Sequence, residues 1–325
     1  MGRLWTGATV VIADADKGCM IKFAQRHRMI LGWIAVVIST LMACFWAFWG
    51  IIENFHEGWY HHSLWMNLGL MLVQYLLPML LFVAAAMISI AWPRVGGTIH
   101  VAAGLWAAWF FSRASALTVS LFFVAPLLLM GILYWLGRTE PKRWALMMIL
   151  GFPAITLVAC GVEQALRIAG RSTGSASSAQ HLSDNGVDLI WAPAGPGWPD
   201  HGMPWDEAMR QCQYLTEDGL TLANTPQGIW RLPTVQEVVA SLRRHDRNCG
   251  GTWDEVHGQA RYQTMPDKES PLWDVYSPVI YWWTATEASA EKSYLVAYDG
   301  QAWTRPKRAK CGYLAFRAVK GGKEK

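Results

Sequence analysis

Apolar positions are spread unevenly along this chain. Every long apolar run lies before residue 166, and beyond it they come in short strand-like runs or helical patterns. A helix needs about 20 apolar residues to cross a bilayer's hydrocarbon core. Residues 29–52 meet this with no charge, and 64–92 do so with Pro78 inside. Residues 114–136, containing Pro126, and 144–165, containing Pro153, form two more runs. Such prolines are tolerated where neighbouring helices satisfy the carbonyls they release. Residues 95–112 open on Gly96-Gly97 and carry His100, so they read as a short span or a re-entrant segment.

Charge placement favours five crossings. Of the 28 Lys and Arg only ten precede residue 166, and of the 24 Asp and Glu only six do, so the net charge of +4 belongs to the apolar half. With five spans and the N-terminus inside, Arg3, Lys17, Lys22, Arg26, Arg28, Arg94, Arg138, Lys142 and Arg143 fall on one side, leaving Arg113 outside. That asymmetry is what the positive-inside rule asks for. Four spans would break it. The outer segment 53–63 has two acids and no Lys or Arg, with Trp59 and Tyr60 near the interface. Residues 1–28 then form a cytoplasmic segment, and the first span is an uncleaved anchor, too long for a signal peptide's apolar core. The expected arrangement puts the C-terminal domain on the outer side of the membrane.

Residues 166–185 read as a tether, because the run RSTGSASSAQHLSDN is too poor in apolar side chains to order itself. Residues 186–321 read as a soluble domain. Strands are expected at 187–192, 229–232, 280–285, 293–298, 301–304 and 313–319, with Asp299-Gly300 as a hairpin turn. Trp205, Met209, Cys212 and Leu215 mark one helix; Thr234-Val235-Gln236-Glu237 is a capping box opening another. Between Arg243 and Pro278 there is little periodicity, as in a functional loop or a disordered one. The domain's balanced charge gives no electrostatic case for nucleic acid.

The phrase Gly202-Met203-Pro204-Trp205-Asp206-Glu207-Ala208, then Trp230-Arg231-Leu232-Pro233-Thr234-Val235-Gln236-Glu237, Tyr281-Trp282-Trp283-Thr284-Ala285-Thr286 and Phe316-Arg317-Ala318-Val319-Lys320, resembles the Lcl C-terminal domain family. The resemblance, to a bacterial family, implies a C-type-lectin-like fold, distantly similar to the formylglycine-generating, sulfatase-modifying enzymes, and with the charge pattern an address in a bacterial inner membrane with this domain periplasmic or extracytoplasmic. It casts Trp205, Trp230, Arg231, Leu232, Pro233, Thr234, Glu237 and Arg317 as structural motif residues. The family's final strand carries a Cys after its Arg, where this chain has Ala318. Cys212, Cys249 and Cys311 then permit three pairings, of which Cys249–Cys311 is the expected bridge, with Cys212 left in its helix stripe. The copper-holding Cys pair of those enzymes has no counterpart beside Cys311, and calcium-dependent lectin motifs are absent. No catalytic residue, metal or cofactor is assigned.

The expected fold class is therefore a polytopic helical membrane bundle followed by an α+β lectin-like domain. In the long irregular stretch, Trp253-Asp254-Glu255 and Trp273-Asp274 set aromatic faces beside carboxylates, a combination that stacks on sugar rings and bonds hydroxyls. The favoured function is a membrane-anchored module that binds or senses a glycan, peptide or protein partner outside. The alternatives are a structural subunit of a membrane complex, a transporter with an accessory outer domain, and a sulfatase-modifying-type enzyme. His100 reads as a structural residue, and His56, Glu57, His61 and His62 as a solvated loop without metal-site spacing.

Overall fold

The computed structural model describes residues 6–112, 120–174, 177–196 and 202–322, with side chains from Phe23 onward. About half the chain is helical and the C-terminal region is β-rich. The chain divides into two compact units: residues 1–54 with 68–164, and residues 55–67 with 165–325.

The first unit is helical. It contains most of α1 (Thr6–Glu57), the end of α2 (Leu64–Leu70), α3 (Leu77–Ala91), α4 (Pro93–Phe110), α5 (Ala125–Leu136) and most of α6 (Lys142–Ala169). Among the described residues, two helices are long and apolar enough to cross a membrane, Phe23–Glu57 and Lys142–Ala169. A third counts if Leu64–Tyr75 and Leu77–Ala91, bent by 62°, are one span. The bend has a local cause. Met71–Tyr75 is a π-helical turn, and Pro78 sits in the first turn of α3, where its missing N–H costs nothing. The same arrangement recurs at Ser120–Val124 followed by Pro126. The expected span over 95–112 is a helix of 18 residues, α4, about 27 Å at 1.5 Å per residue. Residues 113–119, the start of the expected span over 114–136, lie outside the described residues, as does Arg3.

The bundle core gathers Ala35, Val36, Ala86, Ile90, Met130, Leu133, Tyr134, Ala145 and Ile149 from four helices. In lipid, close packing supplies what water would otherwise drive, and small residues permit it. At Gly97 an added Cβ would lie 2.8 Å from the Gly131 carbonyl, and at Gly131 one would lie 2.9 Å from that of Gly97. Only glycine lets α4 and α5 cross there. His100 is buried beside them, with Nδ1 2.9 Å from the Gly96 carbonyl and 3.4 Å from the Ser89 hydroxyl of α3.

The second unit holds β1 (Gln180–Asp184), β2 (Val187–Trp191), α7 (Trp205–Tyr214), α8 (Val235–Ser241), β3 (Arg243–Arg244), β4 (Arg247–Asn248), β5 (Thr252–Asp254), β6 (Gln259–Arg261), β7 (Tyr281–Glu287), β8 (Lys292–Ala297), β9 (Ala302–Pro306), β10 (Leu314–Ala315) and β11 (Val319–Gly321). One sheet runs β1-β2-β11 and another β10-β7-β8-β9, parallel only between β10 and β7; β3-β4 and β5-β6 are separate hairpins. Successive strand residues face opposite sides. Trp282 therefore enters one core cluster with Trp191, Val238 and Trp273, while Trp283 enters another with Trp205, Cys212, Trp230 and Phe316.

Several expectations change here. The tether is not featureless: α6 continues to Ala169, and Gln180–Asp184 forms β1, whose Leu182 is buried. An isolated stretch of this composition has no core to join, but here β2 offers an antiparallel partner. The strand expected at 229–232 shrinks to a single bridge between Arg231 and Val319, because Pro233 has no N–H to continue a ladder. The strand expected over 313–319 is split into β10 and β11. Between them Arg317 turns inward and donates to the carbonyls of Ala192 and Pro271 at 2.6 and 2.8 Å, and to that of Leu272.

Candidate functional site

The carboxylates and indoles singled out in the irregular stretch do not converge. Trp273 is 2% exposed and stacks on Trp282, ring centroids 4.4 Å apart, so it presents no face to a ligand. Trp253 is half-buried on β5, edge-on to Tyr294. Asp254 closes its own turn: it accepts from the amides of Val256 and His257 at 3.1 Å and meets the His257 ring at 2.9 Å. That imidazole contact, with the backbone bonds, holds the Asp254 carboxyl below the usual range. Glu255 accepts from Gln236, and Asp274 accepts from the Tyr276 amide. Asp254 and Asp274 are thus occupied with turn geometry and Glu255 with a side chain of α8.

The bridge Cys249–Cys311 is not formed; both thiols are free. Cys249 is buried, its amide on the Leu242 carbonyl and its carbonyl taking the amides of Gln263 and Thr264, whereas Cys311 is exposed on the loop beside Gly202. Burial pushes the Cys249 thiol up to about 11 and that of Cys212 higher still. Cys212 lies in its helix stripe, as expected.

The motif residues are structural. Arg231 grips Glu237 through two bonds of 2.8 and 2.6 Å, while Glu237 also accepts from the Thr234 amide and donates its own amide to the Thr234 hydroxyl. The capping box is complete. Next to it the bulge in β7 frees its backbone and side chains, so Ala285 donates to the Pro233 carbonyl and Thr286 accepts from the Val235 amide. Trp205 and Trp283 tie the same region with indole bonds to the carbonyls of Thr284 and Met203. Trp230 and Leu232 are core residues. Arg317 is fully buried, and loss of solvent pushes its guanidinium down to about 9, still charged at neutral pH.

A different part of the second unit has the shape of a site. Four consecutive polar residues, Asp267-Lys268-Glu269-Ser270, are buried. Asp267 receives the Nε and Nη2 of Arg171 at 3.1 and 2.7 Å and faces Arg167 at 3.0 Å. Lys268 donates to the Ser277 carbonyl; burial, with the nearby Arg171 charge, pushes its ammonium down to about 7. Glu269 accepts from the His245 amide at 2.8 Å. Buried charge is costly unless paired and bonded, and here the partners are supplied.

Beside this network lies a cleft of about 210 Å³, walled by Trp59, His61, His62, Asn67, Arg171 and Tyr276. Asn67 pins the 61–67 loop by bonding both the amide and the carbonyl of His61, and His62 stacks on Tyr276 at 3.7 Å. Below, His56 sets its two ring nitrogens 3.2 and 3.3 Å from the hydroxyls of Tyr298 and Tyr281, and the Arg171 guanidinium lies over the Tyr298 ring. His56, in the last turn of α1, and His61 and His62, in the loop after it, thus lie against aromatic rings, Tyr298, Tyr60 and Tyr276 respectively, and no group of three metal-ligating side chains occurs among the described residues. No known family model, curated protein or solved structure matches this chain. The site's reading therefore rests on its own chemistry. Sequence reasoning missed it because Arg171 stands in an apparent tether and Tyr276 in an aperiodic stretch; the one usable signal was the density of His, Trp and Tyr at 56–62.

Proposed function

We propose that this protein is a membrane-anchored binding module, whose β-rich domain captures a small hydroxyl- or carboxylate-bearing group of a glycan or peptide outside the cell membrane. The observation that carries this reading is the cleft. It combines aromatic walls (Trp59, Tyr276) with donors fixed in place (Arg171, Asn67), in about 210 Å³. That volume is some seven waters at about 30 Å³ each, the size of one sugar ring or one amino acid. Aromatic faces stack on apolar ring faces, while a guanidinium already oriented by Asp267 loses little entropy on bonding an oxygen.

The same proposal includes the five-crossing arrangement, with the N-terminus inside and the C-terminal domain outside a bacterial inner membrane, and a lectin-like fold for that domain. The charge asymmetry supports the first. The order of the motif phrases and their structural use around Arg231 and Arg317 support the second.

The test uses the full chain in nanodiscs, titrated with a panel of mono- and disaccharides and of amino acids and dipeptides. A member of the panel is expected to bind, and Tyr276→Ala to weaken it at least tenfold. Absence of binding throughout, or identical affinity in Tyr276→Ala and Trp59→Ala, overturns the site. A reporter fused after Lys325 is expected to be active only on the outer side; activity in the cytosol overturns the topology.

A further inference from the structure

The first unit has its own cavity, far richer in cations than in acids. It is an open groove of about 460 Å³ walled by Arg28, Arg94, Arg138 and Lys142 together with Trp92 and Trp135. Among the described residues one carboxylate reaches these cations, Glu140 at 3.3 Å from Arg138. We propose that this cavity binds the phosphate-bearing headgroup of an anionic phospholipid.

Four observations converge on that ligand. First, the cations come from α1, α4, the α5–α6 connection and the start of α6, and two of them are held by carbonyls far away in sequence. Arg28 Nε donates to the Leu136 carbonyl and Lys142 Nζ to that of Ala91, each at 3.3 Å, so both cap helix C-termini and stay at the cavity wall. Second, α4 and α6 both begin here, and neither has an acid in its first turn. The first turns of these helices therefore add no negative side chain to the cavity, and the helix C-termini beside them, at Ala91 and Leu136, are covered by Lys142 and Arg28. Third, the wall is amphipathic. Trp92 and Trp135 are 64% and 53% exposed, and Trp135 is oriented by a bond to the Thr98 hydroxyl. Indoles of this kind lie at the headgroup level of a bilayer. A free phosphate would leave that apolar wall unused; a lipid fills both parts. Fourth, the segment carrying Arg138 is held close against α1. The Arg138 amide donates to the Arg28 carbonyl at 2.8 Å, and a Cβ at Gly32 would lie 2.6 Å from the Arg138 carbonyl oxygen. Basic pockets between helix ends on the cytoplasmic side recognise such headgroups.

The experiment is native mass spectrometry of the detergent-purified full chain, delipidated and titrated with phosphatidylglycerol, cardiolipin or phosphatidylcholine. The anionic lipids are expected to be retained at least tenfold more strongly than phosphatidylcholine. Arg94→Gln, at an exposed side chain outside the core, is expected to cut that retention roughly fivefold, and Arg94→Lys to restore most of it. Arg143, near these cations but outside the cavity wall, is the control: Arg143→Gln is expected to leave retention unchanged. Equal retention of phosphatidylcholine, or an equal loss in Arg143→Gln, overturns the proposal. Displacement of the lipid by equimolar inorganic phosphate also overturns it, and assigns the cavity to a soluble phosphate instead.

Discussion

Arg171 and Asp267, 96 positions apart in sequence, form a salt bridge of 2.7 Å whose side chains are 4% and 1% exposed. Arg167 adds a second guanidinium to the same carboxylate at 3.0 Å. Removing one partner of a buried pair leaves an uncompensated charge, a larger loss than the pair's net worth. Asp267→Asn is therefore expected to destabilise the β-rich unit by about 3–5 kcal/mol, read as a fall in the thermal midpoint of the detergent-solubilised full chain. A loss below about 1 kcal/mol would mean that water reaches the pair.

Lys268 makes a pH prediction with a definite sign. Its folded pKa, pushed down to about 7 mainly by burial, lies below the unfolded value of about 10.4. Between those values the unfolded chain holds the extra proton, so stability rises with pH across that window and is lowest below it. Lys268→Met keeps much of the volume and removes the titration. The denaturant midpoint should climb from pH 7 to pH 9 in the natural protein, and climb less in the variant. Parallel pH profiles would count against it.

Thiol chemistry separates the three cysteines of the C-terminal domain. Cys311 is exposed, whereas Cys212 and Cys249 are buried and held as thiols by burial. A maleimide at neutral pH should label Cys311 in the folded protein and reach the other two only on unfolding, as peptide mass mapping would reveal. Protection of Cys311 until a reductant is added would instead restore the bridge.

The two indoles of the irregular stretch should respond differently. Trp273, stacked on Trp282 within the core, is expected to cost about 3–5 kcal/mol on truncation to Ala. Trp253, half-buried against Tyr294, should cost clearly less. Comparable losses would show that the β5-β6 hairpin is part of the core.

The capping arrangement at α8 is a smaller contributor. Glu237→Ala removes both the half of the box that bonds the Thr234 amide and the paired Arg231 contacts. Such a loss is expected to cost about 1–2 kcal/mol. Thr234→Ala, which removes only the other half, should cost about half as much. The comparison reads out how far Arg231 acts through the helix start.

What could be read from the order of residues alone is what depends on neighbours in sequence. Apolar runs in 29–52 and 144–165 were legible because the cost of placing a segment in lipid is close to a sum over that segment. The capping box at Thr234 and Glu237 was legible because its partners are three residues apart. Much of β7 and β8 was legible because each is a short run rich in aromatic and β-branched residues, a property of the segment itself. Tertiary structure alone decided the rest. Nothing local tells that Arg171 is buried, since its counter-charge arrives from Asp267 far along the chain. Nothing local distinguishes Trp273, which stacks in the core, from Trp253, which lies at its edge, because an aperiodic stretch has no face to predict. The cleft at Tyr276 and the basic cavity at Arg94 share that cause. Each is made by segments that meet only when the chain packs, and a side chain's surroundings, rather than its identity, set whether it pairs, stacks or binds.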